Sequence, residues 1–262
     1  MIKKILAESN VLRSLLFPLL SKFNFEIKYI HDITKRPMTI MSWSHKGYWY
    51  FGSLREKEEI ERFKELIPNS GCVLEVGGHI GYVTQVFEHL VGDKGTVLVA
   101  EPTPQSRNLL KKNVMPSTKV LPVAVSNDNG IMDFFIEEHG GFTNSLVREF
   151  TETTNSSLSS SQRKPAQNLK IIEVDVMTID TIFADIARSP DFIKIDVEGA
   201  ELDVLQGATK TLSTVASLMV EITRNHKEVY ELLYDFEFKA INKSGAAIAK
   251  EEYPGGNIFF VR

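Results

Sequence analysis

The sequence predicts an α/β chain built on a doubly wound, mostly parallel sheet, preceded by a small α+β extension. Three observations predict it. "CVLEVG" (72–77) is an unbroken apolar run of the kind buried on both faces of a parallel sheet, and Gly77, Gly78 and Gly81 turn it into the helical pattern "YVTQVFEHLV". Strand-like and helix-like stretches then alternate as far as "SLMVEI" and "HKEVYELLYDF". Finally, "EFKAIN" and "NIFFVR" have no helix between them, so they pair antiparallel and give the sheet an antiparallel C-terminal strand.

In chain order, residues 1–54 form the extension, with a short helix near 8–22, strands at "FEIKYI" and "TIMSWS", and a further strand at "YWYFG" after the turn "SHKG". A domain of residues 55–262 follows. "REKEEIERFKELIP" puts Ile60, Phe63, Leu66 and Ile67 on one helical face and is stopped by Pro68, Asn69, Ser70 and Gly71. "GTVLVAE" is the second strand. In the next helix, "TPQSRNLLKKNV", Thr103 is the N-cap and Pro104 the first helical residue. "KVLPVAVS" reads as a third strand, and "IMDFFIEE" and "LKIIEVDVMTI" as further β segments. Between those two lies "TETTNSSLSSSQRKPAQ", read as a loop over one end of the sheet. "DFIKIDVEGAELDVLQGATKTL" is a strand and a helix.

Composition narrows the function. A net charge of -4 and a pI near 5.9 argue against bulk electrostatic binding of nucleic acid. The single cysteine, Cys72, has no disulfide partner or metal-ligand spacing and reads as a small buried strand residue. In "MIKKILAESNVLRSLLFPLL", Glu8, Asn10, Arg13 and Pro18 interrupt an apolar run far shorter than the ~20 residues of a spanning helix. A cytoplasmic protein without an integral membrane span is expected, with loose attachment through this segment as the alternative.

The glycine turn carries the chemistry. The order Gly77-Gly78-His79-Ile80-Gly81 lacks the G-x-G-x-x-G spacing of a dinucleotide fingerprint. Glu75 before it would also repel a pyrophosphate. A ligand with an ammonium or sulfonium suits that acid, and N–H groups at the helix start suit a carboxylate. S-adenosylmethionine has all three groups. The alternative is that the glycines serve only a tight turn and close packing. Glu101 ends the second strand, where an acid accepts hydrogen bonds from both ribose hydroxyls. In "AVSNDNG", Ser126, Asn127 and Asp128 either meet an adenine amino group or form a plain turn.

The most distinctive stretch is "IKIDVEGAELDVLQGA" (193–208). Asp196 stands at the carboxyl end of a buried strand and Glu198 follows two residues on. Two carboxylates there can make a general base, orient a substrate, receive a divalent cation, or serve only capping and turn roles. Glu201 and Asp203 read as acids complementing a helix macrodipole. Glu221 is a further acid at the same end of the sheet, and His226 either opens a helix or takes part in the chemistry.

In this order and spacing, "VLEVGGHIGYVT", "AEPTPQS", "IKIDVEGAELDVLQGA" and "LMVEI" resemble the FkbM family of S-adenosylmethionine-dependent methyltransferases over roughly residues 55–262. "AVSNDNG", "TNSLV" and "VDVMTIDTI" are weaker echoes. The resemblance implies a Rossmann-like class I methyltransferase sheet and S-adenosylmethionine as cofactor. It also implies methyl transfer to a hydroxyl, most often of a sugar in a glycan or glycosylated natural product. By position, Glu75, Gly77 and Gly81 would hold the methionine end, with Gly78 and His79 in the same turn. Glu101 would take the ribose, Ser126 the adenine side, and Asp196 and Glu198 would face the transfer centre. No metal is assigned. The family commonly has Asp at the place of Glu75, and "GAN" where this chain has Gly78-His79. The expected reaction is in-line attack of the acceptor hydroxyl, with Asp196 or Glu198 as base and His226 or His79 in reserve. The aromatic "MSWSHKGYWYF" either lines the acceptor side or packs the extension. The rival functions are a nicotinamide oxidoreductase, against the glycine spacing, and a non-catalytic relative serving as a partner subunit.

Overall fold

The computed structural model describes residues 23–52, 56–136, 144–148 and 170–262. The helix expected near 8–22 and the Ser/Thr-rich stretch 151–167 lie outside them. The chain divides into two compact units, 1–57 and 58–262.

In the first unit, strands β1 (Glu26–Ile30) and β2 (Pro37–Met41) form an antiparallel hairpin. "YWYFG" is not a strand: Lys46–Phe51 forms helix α1. The chain leaving β2 bonds back on itself. The Met41 N–H donates to His45 Nδ1 at 3.0 Å, the His45 N–H to Met41 O at 3.1 Å, and the Tyr48 N–H to His45 O at 3.1 Å. These local bonds wind the aromatic run before it can pair. Trp49 then donates its indole N–H to Ser42 O at 2.8 Å, and Tyr48 is buried.

The second unit opens with helix α2 (Lys57–Leu66). Around it stand strand β3 (Cys72–Val76), helix α3 (Tyr82–Val91), strand β4 (Thr96–Ala100), helix α4 (Pro104–Asn113) and strand β5 (Lys119–Leu121). Later come strand β9 (Phe192–Ile195), helices α6 (Glu201–Gln206) and α7 (Thr209–Leu212), strand β10 (Ser217–Ile222), helix α8 (His226–Asp235) and strands β11 (Lys239–Ile241) and β12 (Gly256–Val261). The seven described strands of the main sheet run in the order β11-β12-β10-β9-β3-β4-β5. Strands β5, β4, β3, β9 and β10 run parallel to one another, and β12 is antiparallel to both β10 and β11. The strand order reverses between β3 and β9, which makes the crevice beyond their carboxyl ends the ligand-binding place of such a sheet. This is the doubly wound class I methyltransferase sheet.

Period-2 alternation assigns the faces. Cys72, Leu74, Val76, Ile193, Ile195, Leu218 and Val220 pack with Val204 and Leu205 of α6 and Val229, Tyr230 and Leu233 of α8. The opposite face carries Phe192 and Phe259, against Phe63 of α2 and Phe87 of α3. Phe63 has ring centroids 5.0 to 5.7 Å from those three.

"KVLPVAVS" is not one strand. Pro122, which has no N–H for a ladder, separates β5 from strand β6 (Ala124–Val125). The latter joins a second sheet with strands β7 (Gly130–Ile136) and β8 (Lys170–Met177), in the order β6-β8-β7. β8 also stops at Met177, short of the expected "TI". Thr178 accepts the Thr181 N–H at 3.0 Å and starts helix α5 (Ile179–Ala184). No described helix is long and apolar enough to cross a membrane.

Candidate active site

The turn after β3 is shaped by the protein itself. Gly77 and Gly78 donate their N–H groups to Ala100 O at 3.0 and 3.1 Å. Gly77 has φ +87°, and a Cβ there would lie 1.9 Å from the carbonyl oxygen of Asp196. One on Gly78 would lie 2.1 Å from Val99 Cγ2. The turn is thus wedged between the ends of β9 and β4, and only glycine fits. Asn113 fastens its far side, donating from Nδ2 to Ile80 O at 2.8 Å. The turn ends at Gly81 (φ +86°), where α3 begins.

Glu101, at the end of β4, is the turn's main polar support. Its Oε2 accepts the His79 N–H and its Oε1 the Thr103 N–H, each at 2.8 Å. His79 is itself left-handed, with φ +47°. Glu101 is 6 % exposed, and burial pushes its carboxyl up to about 7 against the pull of the Thr103 and His79 bonds and of Arg107. The Thr103 hydroxyl bonds to the same carboxyl, which leaves it one lone pair to accept from a ligand hydroxyl.

Beside the turn lies a charged cluster on the sheet face that carries Phe192. Glu75 of β3 and Lys194 of β9 are register partners on adjacent strands. Glu75 is 1 % exposed; its Oε2 accepts from Thr84 Oγ1, and Lys194 Nζ stands 3.8 Å from its Oε1. The same ammonium donates to Asp196 Oδ2 at 2.8 Å. A buried ammonium persists only when paired in this way. Asp196, Glu198 and Glu221 bring one carboxylate oxygen each to within 4.8 Å of one another. That spacing admits a cation, and the Lys194 ammonium stands beside it on Asp196. Burial would raise Asp196, but the Lys194 ammonium and the hydrogen bonds from Glu221 and Lys194 hold it below the usual range. The negative charge of Asp196, with burial, raises Glu221 far above that range. Burial, then the charges of Asp196 and Glu201, push Glu198 up to about 8. One ionised carboxylate therefore stands between two protonated neighbours at neutral pH.

The remaining residues fall elsewhere. Ser126, at the end of β6, is buried; its N–H donates to Met177 O at 3.2 Å and its hydroxyl to Asn127 Oδ1 at 3.4 Å. Its hydrogen bonds belong to the second sheet and the turn after β6. His226 opens α8 with Nδ1 3.1 Å from Tyr253 O, tied to the segment that leads into β12. Glu201 stands in the first turn of α6, as expected, but is buried there. It is 1 % exposed, and its Oε1 accepts from the Gly199 N–H and Thr223 Oγ1, both at 2.8 Å. Asp203 lies 3.5 Å from Asn127 Nδ2. Lys194 is the member of this region that sequence reasoning passed over, and Ser145, inside the echo "TNSLV", was given no role. The only signal for Lys194 was one charged residue inside the apolar strand "FIKI".

The FkbM methyltransferase domain model matches residues 75–243. The chain is 27% identical over 196 residues to the hexuronic acid methyltransferase AglP of Haloferax volcanii, covering 71% of each chain. It is 26% identical over 171 residues to the 2-O-methyltransferase NoeI of Sinorhizobium fredii, covering 61% of this chain and 65% of that one. It is 24% identical over 152 residues to Methyltransferase 1 of Beauveria bassiana, covering 53% and 59%. The matched region thus spans from 59% to 71% of these relatives' lengths. Among solved structures, a putative rRNA methylase from Clostridium thermocellum aligns at a TM-score of 0.44 and 9% identity, covering 78% of this chain and 93% of that one. With its strand order, its glycine turn and a family match across most of its second unit, the chain belongs to the FkbM methyltransferase family.

Proposed function

We propose that the chain is an S-adenosylmethionine-dependent O-methyltransferase acting on a hydroxyl, that of a sugar in a glycan or glycosylated natural product. The observation that carries the reading is the Asp196 carboxylate, held by Lys194 Nζ at 2.8 Å on a residue whose backbone carbonyl packs directly against the glycine turn. The sugar rests on the relatives, of which one is a hexuronic acid methyltransferase and another a 2-O-methyltransferase.

The residues fit the cofactor. Glu101 has acceptor capacity left for a ribose hydroxyl, and two carboxylates, Glu75 and Asp196, stand on the one ammonium of Lys194, which suits a cation. In this reading Gly77, Gly78, His79 and Gly81 wrap the methionine end. Glu75 acts from beneath the turn and Ser126 closes the adenine side. When bound, S-adenosylmethionine supplies an electrophilic methyl on a cationic sulfur. With the methyl bound there, an acceptor hydroxyl would be the group methylated, and Asp196 is the residue that would take the hydroxyl proton. The oxygen becomes strongly acidic as the C–O bond forms, so a carboxylate of ordinary or low pKa suffices as base. Protonated Glu198 offers an O–H group that orients the acceptor, while Glu221 gives its own to Asp196. We place the methyltransferase domain at 55–262 and the extension at 1–54.

The test is calorimetric titration with S-adenosylhomocysteine, with NADH as control, followed by transfer of tritiated methyl to a panel of neutral methyl hexosides and methyl hexuronosides. Binding of the homocysteine adduct without NADH, and label in a glycoside ether, is expected. Folded protein that binds no adduct overturns the reading.

A further inference from the structure

The loop that presents Glu198 is held in an unfavourable conformation. Glu198 has φ +54°, a left-handed value that costs a side-chain-bearing residue energy, and Gly199 follows at φ +101°. Both polar groups of the peptide unit joining them are engaged by buried side chains. The Glu198 carbonyl accepts from Ser145 Oγ at 2.7 Å, and the Gly199 N–H donates to Glu201 Oε1 at 2.8 Å. Ser145 is 0 % and Glu201 1 % exposed.

Each clamp is anchored from outside the loop. Ser145 forms an isolated antiparallel bridge with Phe135 of β7, through backbone bonds of 2.9 and 3.0 Å, and its hydroxyl also accepts the Val147 N–H at 2.9 Å. Its neighbour Asn144 donates to Thr103 Oγ1, at the start of α4, at 3.2 Å. Glu201 is fixed by Thr223 Oγ1, just after β10. Its Oε2 is buried with no hydrogen-bond partner among the described residues, and burial raises its carboxyl against the Gly199 and Thr223 bonds. A protonated acid accepts at Oε1 as well as an ionised one, so the Gly199 bond does not need the charge.

We propose that Ser145 and Glu201 are positioning residues that pin the Glu198–Gly199 peptide unit from its two sides and thereby keep the Glu198 carboxyl against Asp196 and Glu221. This rests on the methyl-transfer reading of the same site. Ser145 acts from the second sheet and Glu201 from α6, so the three-stranded sheet has a part in shaping the reaction centre. The groups facing Glu198 are Asp196 and Lys194 from the end of β9, Glu201 from α6 and Glu221 from β10. Freed from the clamp, the Glu198 carboxyl swings toward water and titrates closer to an ordinary glutamate.

The test needs no acceptor. Full-length protein labelled with 13C at the glutamate carboxyls is compared as wild type, Ser145→Ala, Ser145→Thr, Glu201→Gln and Glu201→Met, with Glu198 assigned by its loss in Glu198→Gln. Amide exchange at Gly199 is expected to quicken about tenfold or more in Ser145→Ala and Glu201→Met and to stay within about threefold in Ser145→Thr and Glu201→Gln, which keep the hydroxyl and the acceptor oxygen. The Glu198 midpoint is expected to fall by about half a pH unit or more in Ser145→Ala and to return in Ser145→Thr. S-adenosylhomocysteine affinity stays within about twofold of wild type in all four. Unchanged exchange in Ser145→Ala overturns the clamp. Faster exchange with an unmoved Glu198 midpoint overturns the positioning role, and so does loss of adduct binding together with the midpoint shift. A wild type that binds no adduct sinks the methyl-transfer reading instead, and the exchange and carboxyl measurements still decide the clamp.

Discussion

Replacing Glu101 by alanine tests the cofactor side of the site most directly. The change strands the His79 and Thr103 N–H groups, each now bonded at 2.8 Å to a side chain only 6 % exposed. An unsatisfied buried donor costs about 1–3 kcal/mol, so folding should lose about 2–4 kcal/mol if water only partly fills the hole. On the ligand, a ribose hydroxyl loses a bond to a charged acceptor, about 1.5–3 kcal/mol. That loss with some loosening of the turn predicts an affinity drop of roughly a hundredfold. The pH dependence has a definite sign. Folding raises this carboxyl from 4.5 to about 7. In the unliganded protein that favourable protonation is complete below 4.5 and its contribution to stability disappears as the pH rises through about 7. Ribose binding needs the ionised form, so adduct affinity should move the other way, rising with pH to a plateau above about 8. The assay is calorimetric titration of S-adenosylhomocysteine into wild type, Glu101→Ala and Glu101→Gln across this range, beside thermal unfolding of each. Glutamine keeps one acceptor oxygen and guards against outright unfolding. Wild-type affinity in folded Glu101→Ala would refute the assignment.

Three further outcomes are expected. Asp196→Asn keeps the shape and removes the base, so turnover on whichever glycoside the panel identifies should fall about a hundredfold or more with adduct affinity nearly intact; full activity in that variant rules Asp196 out. Lys194→Met leaves Glu75 buried without its ammonium and should cost about 3–5 kcal/mol in denaturant unfolding, partly recovered by adding Glu75→Gln, whereas an unchanged midpoint would show the pair to be energetically silent. Asp180 accepts the Lys210 and Thr211 N–H groups at 2.9 and 2.8 Å and so caps α7 from α5. Asp180→Ala should cost about 1–2 kcal/mol at neutral pH. Burial opposes the lowered pKa of that group, but the bonds from Lys210, Thr211 and Thr209 prevail. Its contribution is therefore present above 3.8 and lost as pH falls below that value, where variant and wild type should converge.

Most of the sheet could be read from residues because each strand is an apolar run closed by a chemical stop. "CVLEVG" ends at glycines that only a turn against Asp196 requires, and "SLMVEI" is β10 to the residue. The misreadings share one cause, a decision made by contacts rather than pattern. "YWYFG" has the composition of a strand, but His45 reaches back to Met41 and winds it. Pro122 sits inside a plausible strand and instead hands the chain to another sheet. The site divides in the same way. Glu101 and Asp196 were legible because the carboxyl end of a buried strand is a place with few uses for an acid. Glu75 was legible as an acid near the turn, but its buried partner was not. Each of the strands "CVLEV", "FIKI" and "SLMVEI" carries one charged residue among apolar ones. Nothing in any one of them says that Lys194 lies beside Glu75 or that Glu221 faces Asp196, because register belongs to the pairing of strands. That pairing makes three isolated oddities into a single charged group with one ionised acid at its mouth, and the chemistry proposed for the protein depends on it.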